Sequence, residues 1–172
     1  RIDTLFGCTY IVLAPENPLV SKITTKKNRK TVTDYIEATR KKNDMERCSE
    51  EREKTGVITG GFAINPINGE KVPVWVADYV LASYGTGAVM AVPAHDERDF
   101  AFAKKYKLPT KEVIKPRVGL AEDGKAFTGL GVLVNSGDCT DLTSEEARMT
   151  ITETLEKEKK GRFTISYKLR DW

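Results

Sequence analysis

Histidine and cysteine are scarce. There is one histidine, His95, and three cysteines, Cys8, Cys48 and Cys139, lie far apart with no CxxC pair. A zinc centre draws several ligands from such residues, so no metal site is expected, and the odd, scattered cysteines read as reduced thiols. No apolar run approaches the ~20 residues that cross a bilayer. The opening RIDTLFGC has no basic stretch followed by an apolar stretch and a small-residue cleavage site, so no signal peptide and a cytoplasmic location are expected. Walker A and GxSxG patterns are missing. Gly85 and Gly87 begin a GxGxxG spacing, but its third glycine would fall on Met90, so the dinucleotide fingerprint fails. A large charge of one sign is missing too: 28 basic residues face 25 acidic ones, for a net charge of +3. Overall charge therefore does not announce nucleic acid. Local runs at 26–30, 40–42 and 111–117 could meet phosphate, although such runs are commonly solvated faces.

What is present suits one soluble domain. A chain of 172 residues can bury roughly 70% of its unfolded surface. Residues 4–14, rich in β-branched and aromatic types and ended by Pro15, read as a largely buried strand. Asn17-Pro18 reads as the start of a short helix through Ile23. Val32, Tyr35, Ile36 and Thr39 follow helical spacing, and the charged stretch 43–54 reads as a second surface helix or ordered loop before Gly56. Residues 57–64 and 70–81 read as strands joined around Asn68-Gly69. Residues 111–116 and 126–134 read as short strands, the latter broken by Gly129 and Gly131. Thr143 with Glu146 forms a capping-box pattern for a helix to Lys160, and residues 162–169 read as a last strand. The expected class is α+β: a twisted, mainly antiparallel, barrel-like sheet with helices around it.

The densest local signal is YGTGAVMAVPAHDERDFAFAKK, residues 84–105. It reads as a glycine turn, a short buried strand over 88–92, a stop at Pro93, and a helix with an acidic first turn. Asp96 and Asp99, three apart, share one helix face. The helix amino end favours their ionised forms, which suits them to holding a cation better than to taking a proton near pH 7. Asp96 read alone is equally a plain helix cap. His95 beside aspartates leaves serine-histidine-aspartate chemistry open, but nothing marks a serine partner, and a lone histidine at a strand–helix junction more commonly serves structure. Anionic side chains, apolar walls and backbone groups with no evident nucleophile suit recognition of an amino-bearing ligand and hydrolysis by a positioned water.

YGTGAVMAVPAHDERDF closely resembles the editing domain, connective polypeptide 1, of bacterial or organellar leucyl-tRNA synthetases. RIDTLFGCTY resembles the end of that family's threonine-rich motif, GEKVPVWVADYVL also matches, and YKLRDW resembles the return to the synthetase's catalytic core. Valyl and isoleucyl relatives share the GTG turn, but MAVPAHDERDF looks leucyl. The resemblance implies a single editing domain over 1–172, cut from a larger ligase, that hydrolyses the aminoacyl ester of mischarged tRNA(Leu). The need is physical, because one methylene is worth only ~1–3 kcal/mol in an apolar pocket. It also implies roles. Asp99 would bind the substrate ammonium and Thr4 would exclude leucine; Tyr84, Met90 and Val92 would line the amino-acid or adenine pocket beside Gly85. Arg1, Asp96 and Arg98 would organise the tRNA end, with His95 next to them. Editing needs no cofactor by this resemblance, whereas the parent enzyme would use ATP and magnesium to charge tRNA. The partners implied are the 3′ terminal adenosine of tRNA(Leu) and the rest of the synthetase. A module that binds this adenosine without turnover, or an editing domain of a valyl or isoleucyl relative, are the alternatives. Ile2 stands where the family usually has proline, which removes a φ constraint just before Asp3 and Thr4.

Overall fold

A computed structural model describes residues 1–49, 52–83, 85–119, 122 and 124–165. Strands β1 (Tyr10–Leu13), β2 (Gly56–Ile64), β3 (Lys71–Ala77) and β4 (Ala88–Ala91) form one sheet in the order β2-β3-β1-β4. β2 and β4 run antiparallel to their neighbours, whereas β1 and β3 are parallel, with Ile11 opposite Val74 and Leu13 opposite Val76. A parallel pair needs a long crossover. Helices α1 (Leu19–Ile23), α2 (Arg29–Thr39) and α3 (Asp44–Cys48), followed by β2, supply it. A two-stranded sheet of β5 (Ile114–Lys115) and β6 (Val132–Leu133) lies beside helix α5 (Ser144–Lys157), and α4 (Glu97–Tyr106) follows β4. The expected α+β class holds. Among the described residues the sheets stay open and no closed barrel forms.

Alternation along β1 and β3 divides the main core in two. Tyr10, Val12, Trp75 and Ala77 pack with Phe102 and Ala103 of α4. Leu13, Val74 and Val76 pack with Val20 of α1 and Val32 of α2. The Phe102 ring stacks on Tyr10 and meets Trp75 edge-on, both at 5.5 Å between centroids. Such pairs add about 0.5–1.5 kcal/mol each beyond the area they bury, which fixes α4 against β1. A third cluster joins Leu5 and Phe6 to Val113, Ile114, Leu133, Ala147, Ile151 and Leu155.

Several boundaries differ from the sequence reading. Residues 4–14 are not one strand: Ile2–Gly7 winds into a 3₁₀ helix before β1. The cause is tertiary, since consecutive Leu5 and Phe6 are both drawn into the third cluster, and a strand would turn one of them away. β3 stops at Ala77 rather than Leu81. β4 is an edge strand whose first two residues are exposed, not a buried one. Among its described residues the charged stretch carries the five-residue α3, opened by a capping box between Asn43 and Glu46, and Gly56 begins β2. α5 has the expected capping box at Thr143 and Glu146 but ends at Lys157. Of the last expected strand, residues 162–165 have no regular structure, and 166–169 lie outside the described residues.

Candidate functional site

The glycine turn leads into β4. Gly85 and Gly87 have φ of +60° and +64°, a region that favours glycine. At Gly85 a β-carbon would meet open space, so only the backbone angle demands glycine there. At Gly87 it would come within 3.2 Å of Ala82, and the Gly87 carbonyl accepts from the Ala14 amide at 2.8 Å and from Asn17 Nδ2 at 3.1 Å. The turn is thus tied to the end of β1 and the start of α1. Tyr84 lies outside the described residues.

β4 then delivers Met90 and Val92 to the head of α4. Asp96 is the helix cap: its Oδ1 accepts from the amides of Arg98 at 2.9 Å and Asp99 at 3.1 Å. Its other oxygen lies 3.6 Å from the largely exposed guanidinium of Arg98. Asp99 is buried, and its Oδ2 accepts from the Val92 amide at 2.9 Å. Its carbonyl accepts from the Tyr10 hydroxyl at 3.1 Å. The Tyr79 hydroxyl is buried close to Tyr10 and Asp99, and the Asp99 charge acts on it.

Burial pushes the Asp99 carboxyl up to about 7, with the Asp96 charge adding to the rise; the Val92 amide and Arg98 oppose it. This revises the expectation from helix polarity. At the amino end of α4 desolvation outweighs the favourable dipole, which is worth only about 1 kcal/mol. Asp99 is therefore shared between its neutral and charged forms near neutral pH. A cation brought to it would favour the charged form and release the proton.

His95 is buried and saturated by backbone groups. Its Nε2 accepts from the amides of Val113 and Ile114, each at 3.0 Å, and its Nδ1 lies 2.8 Å from the Phe127 carbonyl. These partners assign the proton to Nδ1. Burial also lowers its pKa, so the ring is neutral. It clasps β5 and the 127–129 loop to the head of α4.

Thr4 sits in the 3₁₀ helix, buried, with its hydroxyl donating to the Arg1 carbonyl at 2.8 Å. That bond fixes the rotamer of a β-branched side chain and hence its methyl. The 3₁₀ helix reaches the Asp99 neighbourhood through Gly7, where a β-carbon would lie 3.1 Å from the Val92 side chain and 2.8 Å from that of Val113. Met90 packs against the same cluster as Leu5 and Phe6. Val92, Asp96, Arg98 and Asp99 are thus directly joined, Met90 packs on the cluster that holds the 3₁₀ helix, and Gly7 of that helix adjoins Val92. Arg1 lies apart, bonding the carbonyls of Thr128 at 2.6 Å and Gly129 at 3.0 Å.

Tyr10 and Tyr79, which flank Asp99, carry no local signal in the sequence. Asp3 is likewise invisible as a buried group until the fold is known; there it is wholly buried between Arg1 and Arg148. Outside α4 a cleft of about 510 Å³ is lined by Arg52, Lys54, Arg98 and Lys105 with Glu53 and Glu97. Among the described residues no group of three or more histidine, cysteine, aspartate or glutamate side chains gathers as a metal site. No helix of the described residues is long and apolar enough to cross a membrane.

The sequence profile described as "Leucyl-tRNA synthetase, editing domain" matches residues 1–156. The chain belongs to the leucyl-tRNA synthetase editing-domain family. Along its whole length it is 56% identical to the leucine–tRNA ligase of Clostridium tetani and 55% identical to that of Caldanaerobacter subterraneus subsp. tengcongensis. It spans only 21% of each of these relatives, about a fifth of their length. Among solved structures, 94% of the chain matches 17% of the leucyl-tRNA synthetase of Agrobacterium radiobacter K84, crystallised as a ternary complex with tRNA and LeuAMS. The TM-score is 0.68 and the identity 35%. The mixed α+β arrangement is therefore that of a leucyl-tRNA synthetase editing domain.

Proposed function

We propose that this editing domain hydrolyses the ester joining a non-leucine amino acid to the terminal adenosine of tRNA(Leu), within a larger leucine–tRNA ligase. The observation that carries the reading is Asp99: a buried carboxyl in the first turn of a helix, titrating near neutrality and bonded to the Val92 amide. A carboxyl so placed accepts an α-ammonium group with little competing solvent, and charge-assisted bonds of this kind are the strong ones. Met90 and Val92 offer the aliphatic wall. Thr4 narrows the pocket so that leucine does not fit. His95, with both ring nitrogens engaged, takes no proton from the reaction. Water attacks the ester carbonyl, aided by substrate hydroxyls and backbone groups. No cofactor enters editing; in the parent enzyme ATP and magnesium serve the charging of tRNA.

The cations around the α4 cleft suit contact with a polyanionic acceptor end. Much of the binding energy for tRNA would come from outside this chain, so the isolated domain is expected to deacylate weakly. The reading is tested in the whole ligase. Asp99→Ala should lower deacylation of Ile-tRNA(Leu) about 100-fold or more, the loss of a charge-assisted contact. Thr4→Ala should make the enzyme hydrolyse Leu-tRNA(Leu). Retained activity in the first variant would assign the ammonium to another group, and intact Leu-tRNA(Leu) in the second would remove the size-exclusion role from Thr4.

A further inference from the structure

The segment that carries Thr4 is held by a charge lock anchored on a distant helix. Asp3 is wholly buried, yet its carboxyl has two guanidinium partners: Arg1 Nη2 on Oδ2 at 2.8 Å, and Arg148 Nε on Oδ1 at 3.2 Å. Arg1 belongs to the same end of the chain, so its bond closes the 3₁₀ turn on itself and ties it to the Thr128 and Gly129 carbonyls. Arg148 comes from α5, one residue after Ala147, which sits in the third core cluster with Leu5, Phe6 and Ile151. Its bond is the one that references the carboxyl of Asp3 to α5. Thr4 is next in the chain, and both its amide and its hydroxyl bond the Arg1 carbonyl, at 3.2 and 2.8 Å. A shift of the Asp3 backbone therefore carries the Thr4 side chain with it.

We propose that Arg148 is a specificity-positioning residue: by holding Asp3 from α5 it sets where Thr4 stands, and so which aminoacyl groups the site admits. This rests on the reading of Thr4 as the wall that excludes leucine. Arg148 does not touch the substrate. Its side chain is 41% exposed, so shortening it opens no cavity, while the carboxyl it neutralises has no access to water. Losing it leaves a buried carboxylate with one partner and a strong tendency to move toward solvent. Size discrimination by an apolar wall spans only about 10- to 200-fold, so a displacement of a fraction of an ångström is enough to erode it.

The test compares initial rates of deacylation of Leu-tRNA(Leu) and Ile-tRNA(Leu) by the whole ligase and by Arg148→Met, which keeps the aliphatic stem and removes the charge. Arg148→Met should raise hydrolysis of Leu-tRNA(Leu) about tenfold while changing that of Ile-tRNA(Leu) by less than about threefold. Asp3→Asn should relax discrimination similarly, and the double variant should go no further than Asp3→Asn alone, because both act through one contact. An unchanged ratio in Arg148→Met, a parallel loss of both rates, or additive effects in the double variant would overturn the proposal. Thr4→Ala, run alongside, separates the two ideas. If it hydrolyses Leu-tRNA(Leu) and Arg148→Met does not, the positioning role alone fails; if it does not, the Thr4 reading fails and this proposal with it.

Discussion

Asp99 and His95 lie four positions apart, are both buried, and respond to pH in opposite directions. An aspartate at 3.8 when solvated titrates near 7 in the folded chain, so the folded state holds a proton that the unfolded state has lost between those values. Asp99 therefore costs stability as pH rises through that window, by up to a few kcal/mol. His95 is lowered from 6.5, so its contribution is present above 6.5 and is lost as pH falls toward the folded value. Asp99→Asn should accordingly raise Tm relative to the wild type at pH 8 but not at pH 4, measured by thermal melts across that range; an equal gain at both ends would mean that the buried charge is not the cause. His95→Phe should cost about 2–4 kcal/mol at pH 7.5, since two buried amides lose their acceptor, and chemical denaturation measures it directly. A destabilising carboxyl that Asn could replace is what a site kept for ligand binding looks like, because the Val92 amide and Arg98 compensate its charge in part and an arriving cation would complete the compensation.

At the scale of elements, the amino end of α4 combines a cap and a charge that can be separated. Asp96 caps the helix through Oδ1 and also raises the Asp99 carboxyl by its charge. Asp96→Asn retains the acceptor and removes the charge, so it should leave helix stability within about 0.5 kcal/mol while shifting the pH midpoint of Asp99 downward. An NMR titration of the Asp99 carboxyl reads the midpoint; an unchanged value would assign the shift to burial alone. This part of the chain was legible in the sequence, since a proline stop, an acidic residue at the cap and the spacing of Phe100, Ala103 and Tyr106 all agree on one helix start, although the ring that α4 buries is that of Phe102. The same holds for α5, where Thr143 and Glu146 close the box that their spacing announces. What was not legible depends on partners far away in the chain. Thr4, Leu5 and Phe6 read as strand because β-branched and aromatic residues favour strands, but the 3₁₀ turn is decided by α5 and by the close approach of Gly7 to Val113. The direction of the Asp99 shift was hidden for the same reason: helix polarity is local, whereas burial beneath Tyr10 and Val92 is not.

For the whole molecule, two packing units meet at the site. α4, packed on the sheet, carries Asp99, and the cluster around α5 takes in Met90 and the 3₁₀ helix that carries Thr4, so the groups assigned to holding and to sorting the substrate belong to different packing units. Holding and sorting should therefore fail separately: changes at Asp99 should weaken all aminoacyl groups, and changes on the α5 side should alter their ranking. Binding of an uncleavable aminoacyl-adenosine analogue should strengthen about tenfold per pH unit from pH 5.5 toward 7 and then level off, because Asp99 must lose its proton to pair with the ammonium. Isothermal titration in buffers of different ionisation enthalpy should show proton release on binding below pH 7. The central claim is that this domain removes wrong amino acids from tRNA(Leu) and spares leucine. The most direct measurement is the rate at which the whole ligase releases amino acid from Ile-tRNA(Leu) and from Leu-tRNA(Leu) under identical conditions. The account predicts rapid loss of isoleucine that Asp99→Ala abolishes, with leucine retained; equal rates for the two, or isoleucine release untouched by Asp99→Ala, would contradict it.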